Sequence, residues 1–119
     1  MKYIENSPLV GRVEKGITAN ITIDGAPMTP MTLVDWTLRC DLPQKINTID
    51  AQRRVGALLD FVEPQTADDH LELGDTDWDF LKPLIELKLL LAFQRHAPVI
   101  MDELDDRINR GKTVPRDGS

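Results

Sequence analysis

The chain has 119 residues, of which 20 are acidic and 14 are lysine or arginine, so the formal net charge is −6. This length and a hydrophobic share of 41% predict one globular domain with a single modest core. The negative charge argues against a nucleic-acid-binding clamp, which needs clustered basic residues. The lone cysteine, Cys40, excludes an internal disulfide and a cysteine-based zinc or iron–sulfur centre within one chain.

Nothing in the sequence is typical of a membrane segment. The first eight residues lack the apolar core of a signal peptide, and no run of about 18 apolar residues occurs. We therefore expect a cytoplasmic protein without a membrane span.

The N-terminal part has the pattern of a β-hairpin at about 9–23. Apolar and polar residues alternate strictly from Ile17 to Ile23, which is typical of a strand with one face covered. Lys15-Gly16 is a turn signal between strands near 9–14 and 17–23, and Asp24-Gly25 is a second one. Because an isolated hairpin is marginal in water, we expect it to pack on helices or to pair with another chain.

Two amphipathic helices are predicted next, at about 30–40 and 48–62. Thr29 followed by Pro30 is typical of a helix start, although Thr32 with Asp35 offers a competing start. Asn47 or Thr48 begins the second helix, whose apolar stripe faces a core while Arg53 and Arg54 fall on the wet side.

The last two helices are predicted at about 77–96 and 98–110. With Thr76 as the cap, Pro83 predicts a kink, or a short turn at 77–81 with the main helix from 83. Gly111 is a helix stop, and residues 112–119 are expected to be a disordered tail. The expected domain therefore spans 1–111.

The acidic residues are concentrated between residues 63 and 81, where seven occur without a lysine or arginine. The rest of the chain is close to neutral, and the opposite bias appears at 107–116. One interpretation is a solvated loop followed by a solubilising tail, and the other is a charged contact surface. The candidate partner-binding acids are Asp68, Asp69, Glu72, Asp75 and Asp77, and the basic residues are Arg107, Arg110, Lys112 and Arg116.

The sequence contains no pattern that indicates catalysis, a cofactor or a metal. Asp75, Asp77, Asp79 and Glu86 have the spacing of a calcium loop, but Phe80 occupies the position that needs glycine. No glycine-rich phosphate loop occurs, and Cys40 lacks the surroundings of a nucleophile. The carboxylates at 102–106 are interpreted as a solvated helix face. We expect no catalytic residue, no metal, no cofactor and no small-molecule ligand.

The strongest feature is the leucine-rich run from Leu84 to Phe93, in which only Glu86 and Lys88 are polar. A helix that is apolar nearly all round must be covered nearly all round. Either it is the centre of the chain's own core, or one face is left for a partner or a second copy. The candidate contact residues are Leu84, Leu87, Leu89, Leu90 and Phe93.

Several segments resemble small proteins encoded in the structural-gene modules of tailed bacteriophages and prophages. The residues that carry the resemblance, within about 29–108, are Met31-Thr-Leu-Val-Asp-Trp-Thr-Leu, Asp50-Ala-Gln-Arg-Arg-Val, Leu71-Glu-Leu-Gly-Asp-Thr-Asp-Trp and Pro98-Val-Ile-Met-Asp-Glu-Leu. The resemblance implies a small non-catalytic protein that serves particle assembly, for example as a tail-assembly chaperone, or that modulates a host protein. It would then act in the cytoplasm of the bacterial host.

Together these patterns predict a helix-dominated α+β fold, with an N-terminal β-hairpin packed on a bundle of three to four helices. The predicted function is protein–protein interaction, with another protein or with a second copy, and without direct binding of nucleic acid. The alternative is an acidic inhibitor or modulator of a host protein, for example a nucleic-acid mimic, that acts through residues 63–79.

Overall fold

The computed structural model describes residues 2–65 and 70–113, and it confirms a helix-dominated α+β fold. Three short 3-10 turns join the main elements. In chain order the elements are β1 (Lys2–Glu5), β2 (Val10–Glu14), β3 (Ile17–Asn20), β4 (Thr22–Ile23), β5 (Ala26–Pro27), α1 (Pro30–Arg39), a turn (Gln44–Ile46), α2 (Ile49–Val62), a turn (Glu63–Gln65), β6 (His70–Leu73), α3 (Asp75–Phe93), a turn (Gln94–His96) and α4 (Ala97–Thr113).

Two tight hairpins follow β1, and each has its turn at a dipeptide that the sequence predicts to be a turn. In β2–β3, Glu14 pairs with Ile17 across Lys15 and Gly16, whose φ angles are 51° and 78°. In β4–β5 the turn is Asp24-Gly25, with φ angles of 52° and 79°. Positive φ at both central residues is the geometry of a type I′ turn, which matches the twist of the flanking strands.

The predicted strand at 17–23 is divided in two. Ile21 is buried between β3 and β4, and its carbonyl oxygen accepts a 2.9 Å hydrogen bond from the backbone N–H of Met28. The chain therefore changes pairing partner at Ile21, so that the alternating pattern serves two hairpins instead of one long strand.

The acidic segment between residues 63 and 81 contains a strand, β6, that its sequence pattern does not predict. β6 pairs antiparallel with β1, in a register that sets Ile4 opposite Leu71 and Lys2 opposite Leu73. Those three apolar side chains are buried in the core. The opposite edge of β6 is completed by Gln65, whose side-chain amide accepts from the Glu72 N–H at 2.7 Å and donates to the Glu72 carbonyl at 3.2 Å. The interpretation of this acidic segment as a solvated loop is therefore wrong for residues 70–73.

Threonine side chains cap the first two helices. Thr29 accepts a hydrogen bond from the Thr32 N–H at 3.2 Å, with Pro30 in the first turn of α1, and Thr48 accepts from the Ala51 N–H at 3.1 Å. Each bond satisfies an N–H that the helix itself leaves unpaired. These caps fix the starts of α1 and α2 at residues 30 and 49.

The last two helices differ in detail from the expectation. α3 begins at Asp75 after Gly74, and it continues without interruption past Pro83, which is exposed. An exposed proline leaves the carbonyl of the preceding turn open to water, so the helix need not break. α4 runs past Gly111 to Thr113, so 112–113 are helical, and the rest of the predicted tail lies outside the described residues.

The core lies where α4 crosses β1 and packs on α3. Its largest fully buried side chains come from β1 and β6, from α1, α3 and α4, and from the segments that precede β2 and α1: Ile4, Leu9, Met28, Leu33, Leu71, Leu73, Leu81, Ile85, Leu89, Ile100 and Leu104. None of the described helices has both the length and the apolar character that a membrane span requires.

Candidate interaction surface

The C-terminal half of α3 carries a patch of exposed leucines, which we call the leucine patch: Leu87, Leu90 and Leu91. Leu90 is 54% exposed and Leu91 is 69% exposed, whereas Leu87 is about one-third exposed at 38%. Residues three and four apart share one face of a helix, so the three side chains lie side by side. A group of exposed leucines of this kind is typical of a surface that binds another molecule or another copy of the chain.

The other side of α3 belongs to the core, and this corrects part of the predicted site. Leu84 is 4% exposed and Leu89 is fully buried, so neither is available to a partner. Phe93 is half-buried and packs edge-to-face on Trp36, with ring centroids 6.2 Å apart. Of the predicted apolar contact residues, Leu87 and Leu90 are exposed. The exposure of Leu91 was not predicted, because this helix is apolar on nearly every face and its sequence does not show which face is exposed.

The chain turns sharply just after the leucine patch. Gln94 ends α3 with φ 45° and ψ −109°, a combination that a residue with a Cβ rarely adopts. A 3-10 turn over Gln94–His96 then leads directly into α4. His96 therefore lies in this turn and not at the last residue of α3.

The β2–β3 hairpin reaches the same turn. A Cβ built on Gly11 of β2 would lie 2.8 Å from Nδ1 of His96, so the backbone of β2 packs directly against the imidazole of His96. Farther out, Val13 and Ile17 are exposed, with Ile17 73% exposed beside the Lys15-Gly16 turn. The hairpin thus starts beside the end of α3 and presents two apolar side chains near its tip.

Three of the five acids predicted to bind a partner lie in the described part of the chain. Asp68 and Asp69 lie outside the described residues, and Glu72 is half-buried in β6. Asp75 lies 3.8 Å from the Lys2 ammonium, and Asp77 lies 3.6 Å from the Arg54 guanidinium. The described acids are therefore partly compensated by basic residues of the chain itself.

Arg54 lies on the predicted wet side of α2, with a side chain that is 41% exposed, but it also contacts α3. Its guanidinium carbon lies 4.6 Å from the centre of the Phe80 ring, and Nη2 donates a 2.7 Å hydrogen bond to the carbonyl oxygen of Thr76. With the Asp77 ion pair, these contacts join α2 to the first turns of α3. Arg53, in contrast, is exposed.

Arg107 is also a structural residue and not part of a basic contact surface. It is 7% exposed, and it donates hydrogen bonds to the carbonyl oxygens of Glu5, Ser7 and Pro8 at 2.6–3.0 Å. Its Nε donates to Glu103 at 2.9 Å. The side chains of Arg110, Lys112 and Arg116 lie outside the described part of the structure.

No arrangement typical of a metal centre is present among the described residues. They contain no group of three or more histidine, cysteine, aspartate or glutamate side chains that could hold an ion. Asp75, Asp77, Asp79 and Glu86 all belong to α3, whose regular helix spreads them around and along its axis. Cys40 is a free, half-buried thiol at the end of α1.

The leucine patch and the hairpin tip are therefore two exposed apolar surfaces that lie near the turn after α3. Comparison with protein-family models, with curated proteins and with solved structures finds no significant match.

Proposed function

We propose that this chain is a non-enzymatic protein–protein interaction protein that binds its partner through the leucine patch. The observation that carries the proposal is the exposure of Leu90 and Leu91 beside Leu87 on a helix whose opposite side is core. Burying such side chains against a partner contributes roughly 25 cal/mol per Å² of apolar area.

The hairpin supplies a second contact surface in this proposal. Val13 and Ile17 are exposed near its tip, and β2 and β3 form a two-stranded sheet of their own. A free strand edge can pair with an extended segment of another protein, and exposed apolar side chains add affinity. Because the hairpin starts beside the turn that follows α3, one partner of moderate size would reach both surfaces.

The biological setting that we propose rests on the sequence resemblance alone. It is that of an accessory or assembly factor of a tailed phage or prophage, such as a tail-assembly chaperone, in the cytoplasm of the bacterial host. A chaperone of this kind covers apolar surface of an assembling protein, and an exposed leucine patch is suited to that task.

The test is capture of partners from the native host on the tagged full-length chain, followed by mass spectrometry. The double variant Leu90→Glu/Leu91→Glu is expected to lose the captured protein, because charges would enter the buried interface. Ile49→Glu is the matched control, since it makes the same change at an exposed apolar residue of α2, outside the leucine patch.

Equal capture by the wild-type chain and the double variant would refute a role for the leucine patch. If capture instead weakens steeply with salt and disappears in Asp68→Asn/Asp69→Asn/Glu72→Gln, the acidic-inhibitor alternative is favoured. The two functions are thus distinguished by separate sets of substitutions.

A further inference from the structure

The turn between α3 and α4 has the properties of a strained hinge. Gln94 is a non-glycine residue at φ 45° and ψ −109°, and only the Gln94–His96 turn separates the two helices. Such a backbone conformation is unfavourable for a residue with a Cβ, and opening the turn would release that strain. Short strained hinges favour the exchange of identical elements between two copies of a chain.

The contacts of α4 can be made equally well by a second copy. α4 packs on β1, which lies at the opposite end of the sequence. Arg107 of α4 donates to backbone carbonyls of residues about one hundred positions earlier in the sequence. Lys82 of α3 and Asp105 of α4 form an ion pair at 3.6 Å. An exchanged α4 would restore every one of these contacts, so the packing of α4 is the same in both arrangements.

The leucine patch supplies the additional contact that exchange requires. Leu87, Leu90 and Leu91 directly precede the hinge, so in an exchanged dimer the patches of both copies lie close to the crossing point of the two chains. Their mutual burial and the release of strain at both hinges then offset the entropy lost on association.

We propose that two copies of this chain form a dimer by exchanging α4, with Gln94–His96 as the hinge and the leucine patches in contact beside it. The proposal rests on the proposed function, and it names a second copy as a partner of the leucine patch. In such a dimer both sides of the interface come from copies of this chain. The fraction of dimer therefore depends on the protein concentration.

The test uses the intact chain and its own ion pairs. Unlabelled and ¹⁵N-labelled chains are unfolded, mixed and refolded together, and the dimer is isolated by size-exclusion chromatography with light scattering. A zero-length carbodiimide reagent then joins Lys82 to Asp105, and mass spectrometry reads the isotope of each linked peptide. In an exchanged dimer about half of these links join chains of different label.

Lys2 and Asp75 provide the internal control. They lie 3.8 Å apart on β1 and α3, which stay together on exchange, so their link joins equally labelled peptides in every case. Mixed labels at Lys82–Asp105 with unmixed labels at Lys2–Asp75 would establish the exchange. A monomer of 13.4 kDa at all concentrations would overturn it. A dimer whose two links are both unmixed would also overturn it, because the copies then associate face to face.

Substitution at the hinge gives an independent measurement. Gln94→Gly removes the strain and is expected to raise the dissociation constant of the dimer by about tenfold, whereas Gln94→Ala retains a Cβ and keeps the dimer. Equal dissociation constants for the glycine variant and the wild-type chain would overturn the hinge. None of these results depends on capture of a host protein, so failure of the exchange and failure of the proposed function are separable.

Discussion

Arg107 and Ser7, which are one hundred residues apart in the chain, are joined by a hydrogen bond of 2.6 Å from Nη1 to the Ser7 carbonyl oxygen. The same guanidinium binds the carbonyl oxygens of Glu5 and Pro8, and Glu103 accepts from its Nε. One buried side chain therefore satisfies three backbone carbonyls and holds the segment after β1 against α4. An arginine suits this role because its guanidinium offers five donors in a fixed plane.

Replacing Arg107 with alanine is expected to lower the free energy of unfolding by about 2–4 kcal/mol, because three partly buried backbone carbonyls lose their donor. Arg107→Lys should cost less, since an ammonium keeps the charge and part of the bonding. Chemical denaturation followed by circular dichroism measures both. Arg53→Ala is the control, since Arg53 pairs with Asp50 only at the surface and should change stability by less than about 0.5 kcal/mol. A loss of similar size in the two alanine variants would contradict the structural role of Arg107.

Gln65 acts in place of a neighbouring strand for the outer edge of β6. Its side chain forms two hydrogen bonds with the backbone of Glu72 and a third with the Phe61 carbonyl at 3.2 Å. In Gln65→Ala the Glu72 amide is expected to exchange its hydrogen faster, with a loss of about 1 kcal/mol in unfolding free energy. Hydrogen exchange followed by NMR checks this, with the Ile4 amide of β1 as the internal reference. Unchanged protection of the Glu72 amide would refute the assignment.

The features that the sequence predicts correctly are the local ones. Thr29 and Thr48 cap helices within three residues, and Lys15-Gly16 and Asp24-Gly25 turn the chain within two, so each depends only on its neighbours. The β1–β6 pair depends on residues 2–5 pairing with residues 70–73. Each segment has only four residues, which is two repeats of the two-residue strand period. Such short strands gain their stability from the contact itself.

The exposed side of α3 was likewise beyond prediction from the sequence. Leu84 to Phe93 is apolar almost all round, so its pattern does not distinguish buried Leu89 from exposed Leu90. Arg54 and Arg107 show the same limit, because the sequence of a helix does not reveal the distant partners that a charged side chain contacts. In this fold Phe80 and the backbone of residues 5–8 supply those partners.

Arg54 is expected to stabilise the packing of α2 on α3. Arg54→Ala removes a contact with the face of Phe80, a hydrogen bond to Thr76 and an ion pair with Asp77, and should cost about 1–2 kcal/mol in unfolding free energy. Arg54→Lys should recover less than half, because an ammonium does not stack on a ring as a planar guanidinium does. Thermal unfolding at low and at high salt measures the effect. Full recovery by lysine would show that charge alone matters.

Two glycines should respond to alanine in opposite ways. Gly16 has φ 78° in the β2–β3 turn, where a Cβ is strained, so Gly16→Ala should lower the unfolding free energy by about 1 kcal/mol. Gly56 is exposed in the middle of α2, and a Cβ there meets no atom within 4 Å. Gly56→Ala should therefore raise it by about 0.5–1 kcal/mol. Denaturant titration of the two variants side by side checks the signs, and destabilisation by Gly56→Ala would contradict the placement of this residue.

Adjacent leucines of α3 should differ sharply when each is replaced by glutamate. Leu89 is fully buried, so Leu89→Glu places a charge in the core and should abolish cooperative unfolding at ordinary temperature. Leu90 is 54% exposed, so Leu90→Glu should leave the stability of the monomer within about 1 kcal/mol. Its effect on association should then be readable without a folding defect. Thermal unfolding at low protein concentration separates the two cases, and an unfolded Leu90→Glu variant would place Leu90 in the core.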